Sequence, residues 1–104
     1  MPTKDIQLVT LRGDVDAAAF AVARKMFLPL MLADIAVVDL REVTYIDSRG
    51  LMLFFELKRG MRSDAVLRLV GGEASMEKLL RIAGVDQIAE IYPTLDAAVA
   101  GGAA

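Results

Sequence analysis

Ile35-Ala36-Val37-Val38-Asp39-Leu40, followed by Val43-Thr44-Tyr45-Ile46-Asp47-Ser48-Arg49-Gly50-Leu51, is the stretch that decides the fold. The first six residues form a short apolar run of the kind found in a central strand buried on both faces. Asp47 and Ser48 then offer capping side chains, and Gly50 eases a tight backbone at the entry to a helix. That helix is expected from Leu51 to about Arg62. Leu51, Phe54, Leu57 and Met61 recur every three or four residues as its buried stripe. Lys58, Arg59 and Arg62 gather in its last turns, where cations suit the negative end of the helix dipole.

The same strand-to-helix rhythm extends outward in both directions. Upstream, Ile6 to Arg12 reads as a strand broken by Gly13-Asp14. Asp16 is placed to cap a helix that starts at Ala17-Ala18-Ala19 and continues to Leu28 or Leu32. Pro29 predicts a kink or an early end, because it removes a backbone donor inside a helix. Downstream, Val66 to Val70 is a strand closed by Gly71-Gly72. Glu73 or Ser75 caps a helix carrying Met76, Leu79, Leu80 and Ala83, and Gly84 stops it. Ile88 to Tyr92 forms a last strand, and Pro93-Thr94 leads into a short helix from Leu95 to Ala100. Strands alternating with helices in this way imply crossover connections and an α/β domain. The expected sheet is mixed but mostly parallel, with about four strands and about four helices. Residues 1–100 form a single domain in this reading, and the tail at 101–104 is expected to fray.

Composition narrows the chemistry. The chain has 104 residues, a size that suits one domain with a real core. It contains no Cys and no His, so thiol catalysis, disulfide scaffolds, zinc fingers and Ser-His pairs are all excluded. No metal, cofactor or catalytic residue is assigned. Lys and Arg total 12 against 14 for Asp and Glu, scattered along the chain, which argues against nucleic-acid binding. Met1 to Asp5 lacks the apolar run of a signal peptide, and Met26 to Leu32 has only seven apolar or proline residues where a membrane span needs ~20. A cytoplasmic location without membrane insertion is therefore expected.

The segment Val43-Thr44-Tyr45-Ile46-Asp47-Ser48-Arg49-Gly50-Leu51 resembles the STAS-domain family, and within it the anti-sigma factor antagonists. Two other stretches carry the likeness: Leu11-Arg12-Gly13-Asp14-Val15-Asp16, and Leu79-Leu80-Arg81-Ile82-Ala83-Gly84-Val85. Together they span nearly the whole chain in the family's order. The resemblance implies a STAS-like fold and a partner-switching protein. Ser48 would be phosphorylated by a cognate anti-sigma factor that is itself a serine kinase of the GHKL type. The unphosphorylated form would hold that kinase and free a sigma factor. The partner face is expected to comprise Asp14, Asp16, Tyr45, Asp47, Arg49, Gly50, Met52 and Phe55. Met52 and Phe55 enter because they lie off the buried stripe of their helix, although Phe55 could equally pack beneath a neighbouring helix.

Arg49 stands where the family usually has a second Ser, a cation placed to pair with a Ser48 phosphate or to bias the choice of kinase. The short N-terminus implies that the family's first edge strand is reduced or missing, which would leave Ile6–Arg12 as an open edge. Phe20, Met26 and Phe27 raise self-association as a homodimer through the first helix. Two other roles stay open: an accessory subunit on the ATPase of a lipid-trafficking ABC transporter, and a partner-switching regulator with a non-sigma output. An enzyme would need Ser48 as nucleophile, and no base is in view for it.

Overall fold

The structure, a computed structural model, describes residues 4–16 and 18–101. Among these residues four strands alternate with four α-helices: β1 (Ile6–Val15), α1 (Phe20–Phe27), β2 (Ile35–Ile46), α2 (Ser48–Gly60), β3 (Val66–Val70), α3 (Ala74–Ile82), β4 (Glu90–Tyr92) and α4 (Leu95–Ala100). The strands lie in the order β1-β2-β3-β4, and every pair is parallel. Among the described residues the sheet is fully parallel, in keeping with the expected mostly parallel α/β sheet of about four strands and four helices.

Right-handed crossovers that step steadily in one direction leave their helices on one face of the sheet. The packing follows that rule. Ala36, Val38 and Leu40 of β2 join Leu67 and Leu69 of β3 beneath Phe27 of α1, Phe54 and Leu57 of α2, and Leu80 of α3. Phe27 and Phe54 stack with ring centroids 6.1 Å apart, locking α1 to α2. The opposite face has a smaller core of Ile35, Val37, Val70 and Ala98, covered by α4. Arg68 reaches from β3 to the end of α4, donating to the carbonyl of Ala98 at 3.1 Å while pairing with Glu90.

Local chemistry explains the element boundaries. Pro29 ends α1, as expected, by converting the chain to a 3-10 turn over Leu28–Leu32. Gly13 does not break β1. It takes a left-handed φ of 71° and the ladder shifts register around it, so the strand runs on to Val15. The Asp16 carboxylate accepts from the amides of Ala18 and Ala19 at 3.0 Å and shapes the turn before α1, which starts at Phe20. The predicted helix start at Ala17 lies outside the described residues. β2 absorbs Val43–Ile46 into one strand of 12 residues. A 3-10 turn at Val85–Gln87 shortens β4 to three residues. Glu73 occupies the N-cap position of α3 without a side-chain bond, whereas the Thr94 hydroxyl accepts from the Ala97 amide and caps α4. Gly101 closes α4 in a left-handed conformation, and the rest of the tail expected to fray lies outside the described residues.

Candidate functional site

β1 and β2 end side by side, with Asp14 next to Tyr45 and Val15 next to Ile46. The chain leaves β2 through Asp47, whose carboxylate accepts from the Gly50 amide at 3.0 Å and so caps α2. Its amide donates to the carbonyl of Val15 at 3.3 Å, tying the turn to the end of β1. Gly50 is buried against that same carbonyl. A Cβ on Gly50 would lie 2.4 Å from the Val15 oxygen, so the close approach of α2 to β1 requires glycine.

Ser48 is the first residue of α2, and it is exposed. Because Asp47 supplies the cap, the Ser48 hydroxyl is not committed to that task. The helix begins here, three residues before the expected Leu51. Arg49 follows, and its guanidinium sits 5.3 Å from the centroid of the Phe20 ring at the start of α1. The cation beside Ser48 is therefore held by an aromatic face. Asp14 accepts from the Thr44 hydroxyl at 2.8 Å, which fixes its carboxylate on the same edge.

Tyr45 and Met52, 55% and 58% exposed, flank this turn as free apolar surface. The expected partner face is thus gathered at one end of the sheet for Asp14, Asp16, Tyr45, Asp47, Arg49 and Met52. Two of its members differ. Gly50 is buried and offers no surface side chain. Phe55 is half-buried and packs on the main core, because α2 turns Leu53 and Phe54 inward and draws the adjoining face partly with them. In the first helix Phe27 is wholly core and Phe20 packs on the edge of the same core, leaving only Met26 of that trio exposed. Thr44 and Phe20, which position Asp14 and Arg49, carry no local sequence signal for these contacts. Each acts across elements distant in the chain.

Beyond β3 the overhanging end of β2 forms one wall of an open cleft of about 340 Å³, with Tyr45 on one side and Glu73, Ser75 and Met76 on the other. On the α4 side of the sheet, the carboxylate of buried Asp39 receives Arg41 Nη2 at 2.8 Å and Nε at 3.0 Å. Those hydrogen bonds hold the Asp39 carboxyl below its ordinary pKa against the opposing effect of burial. Among the described residues, no helix is long and apolar enough to cross a membrane.

A parallel four-stranded sheet whose second strand delivers an Asp-Ser-x-Gly helix start defines a class of small α/β domain. The model of the STAS domain matches residues 3–98, and the chain belongs to that family. No curated protein sequence matches it significantly. Among solved structures, it is similar to an anti-sigma factor antagonist from Mycobacterium paratuberculosis, with a TM-score of 0.86 at 18% identity over 97% of this chain and 88% of that one. The phosphorylated form of the Bacillus cell fate determinant SpoIIAA superposes with a TM-score of 0.68 at 17% identity, covering 97% and 94% of the two chains. The STAS domain of a SulP transporter from Vibrio cholerae gives 0.76 at 18% identity, covering 97% and 83%. At these identities the likeness establishes the fold.

Proposed function

We propose that this protein is an anti-sigma factor antagonist that works in the cytoplasm as a phosphorylation-controlled binding switch. The unphosphorylated form binds a cognate anti-sigma factor, a serine kinase of the GHKL type, and so releases a sigma factor. Phosphate on Ser48 ends the binding. The observation that carries this reading is an exposed serine at the first position of α2, relieved of capping by Asp47. The likeness to structures named as anti-sigma factor antagonists supports it.

The chemistry of the turn suits such a switch. A phosphoserine adds about −1.5 to −2 charges, and a helix N-terminus tolerates them without refolding. The same charge would enter a surface that already carries Asp14, Asp16 and Asp47. Like charges brought into a docked, desolvated interface oppose binding by several kcal/mol. Release then needs only a changed surface. Tyr45 and Met52 supply the apolar contact, and Arg49, held on Phe20, stands beside the acceptor to orient the approach of a nucleotide-bearing partner.

The test is capture from the source cells with tagged wild type, Ser48→Ala and Ser48→Asp, followed by phosphosite mapping and reconstitution of the recovered partner with ATP. A serine kinase that modifies Ser48 is expected. Ser48→Ala should keep its affinity and accept no phosphate. Ser48→Asp should lose at least about tenfold in affinity, and full-strength binding by that variant would sink the electrostatic mechanism. A neighbour named as a sulfate transporter family protein and another named as the STAS domain of a SulP transporter support a second reading only at the level of a transporter-linked role, of which docking on a transporter ATPase is one form. Recovery of such an ATPase with Ser48 never modified would establish that reading instead.

A further inference from the structure

β1 is an outer strand of the sheet among the described residues, and from Ile6 to Thr10 it runs in regular register with β2. The Asp5 carbonyl accepts from the amides of Asp34 and Ile35, both at 3.0 Å, so the odd-numbered residues turn their backbone groups toward β2. Alternation turns the amides and carbonyls of Ile6, Leu8 and Thr10 to the open side. The side chains of Ile6 and Leu8 share a face with their β2 neighbours Ile35 and Val37. α4 covers Ile35 and Val37, but Ile6 and Leu8 remain 41% and 48% exposed. Proteins usually guard an edge with proline, a bulge or an inward charge. None occurs between Ile6 and Thr10, and the register shift comes only after Thr10. The opposite edge, β4, is three residues long and carries Glu90.

We propose that β1 pairs antiparallel with β1 of a second copy of this chain, about a two-fold axis through Gln7, joining two sheets into one. In such an isologous contact, residues that face each other must lie on the same side of the sheet, so the axis falls on a residue. Centring on Gln7 sets Ile6 opposite the partner's Leu8 and Leu8 opposite the partner's Ile6. Four apolar side chains then close over one another beside Ile35 and Val37. Lys4 faces the partner's Thr10 and Asp5 the partner's Val9, so no like charges meet. Moving the axis to Leu8 opposes Lys4 to the partner's Arg12, which is repulsive, and runs into the register shift. Moving it to Val9 opposes Ile6 to the partner's Arg12, and moving it to Ile6 opposes Leu8 to the partner's Lys4. Charge and apolar surface therefore select a single register. The contact uses the amino-terminal half of β1, leaving the Ser48 end of both copies open, and it does not depend on the switch proposed above.

The chain has no cysteine, so single cysteines report the register directly. Two Gln7 residues on the axis form a non-hydrogen-bonded pair with Cα atoms about 4.5 Å apart, inside the disulfide range. Mild oxidation should convert Gln7→Cys to a covalent dimer, while Leu8→Cys and Val9→Cys stay largely uncrosslinked. In sedimentation at rising concentration the wild-type mass should double, and Leu8→Lys should return it to the monomer with an unchanged far-UV spectrum. A wild type that stays monomeric at high micromolar concentration, or crosslinking that favours position 8 or 9 over 7, would overturn the proposal.

Discussion

Two strand-to-helix turns stand next to each other at the carboxyl edge of the sheet, and each places an exposed serine in the first turn of its helix. Ser48 opens α2 and Ser75 lies near the start of α3. The turn into α2 is fixed from within: Asp47 caps the Gly50 amide, its own amide is bound by Val15, and Gly50 is pressed onto that same strand end. The turn into α3 is propped from outside. Gly72 adopts a left-handed φ of 82°, Glu73 makes no side-chain cap, and the Arg41 stem lies over Gly72 while its guanidinium grips Asp39. A serine in a first helical turn is common chemistry. What sets Ser48 apart is that the residues on either side of it, Asp47 and Gly50, are held by three contacts, none of which engages the Ser48 side chain.

The largest effect should come from Gly50→Ala, which drives a Cβ into the Val15 carbonyl. We expect a loss of about 3 kcal/mol, or on the order of 15 °C in thermal unfolding. An alanine variant as stable as wild type would remove the close approach as the basis of the comparison. Next, Asp47→Ala should cost about 1 kcal/mol in urea unfolding, while Glu73→Ala stays within about 0.5 kcal/mol. Equal losses at the two caps would erase the distinction between the turns.

A pH series examines the outer prop of α3. The Asp39 pKa is lowered below its ordinary 3.8, chiefly by the Arg41 side chain. A depressed carboxylate contributes stability that is present above its unfolded pKa and lost as pH falls through the folded one. The stability lead of wild type over Arg41→Gln should thus be full at pH 7 and shrink below pH about 4. A lead that holds constant from neutral pH into acid would show that the ion pair is not its source. Smallest of all are the serines themselves. Ser48→Ala and Ser75→Ala should each leave stability within about 0.5 kcal/mol of wild type, yet only Ser48→Ala should abolish transfer of phosphate from a captured kinase. Phosphate lost equally from Ser75→Ala would mean that the rigid turn is not what the kinase recognises.

Much of this architecture was legible in the chain because it rests on local rhythm. The four strands, the Pro29 interruption, the Gly84 stop and the helix Leu95–Ala100 each follow from a run, a breaker or a cap within a few residues. The failures share a different cause. Gly13 looks like a strand end, but a parallel neighbour can carry a left-handed residue as a register shift without losing the ladder. Leu53 fell outside the predicted stripe of α2, yet it is buried because the helix faces both the sheet and α1. The site was visible as Asp47-Ser48-Arg49-Gly50, since capping and glycine are local signals. The Arg49–Phe20 contact and the Thr44–Asp14 bond were not, because each joins residues that only the folded sheet brings together.

The strand order has a further consequence. In β1-β2-β3-β4 every pair of neighbours in space is also a pair of neighbours along the chain. No strand waits for a distant segment to fill a gap beside it. Translation delivers the amino-terminal segments first, so the sheet can grow one rung at a time in the sequence in which the ribosome releases it. α4 follows all four strands. Until it docks, Val37 and Val70 stay bare on their side of the growing sheet, and a helix of only six residues is what covers them.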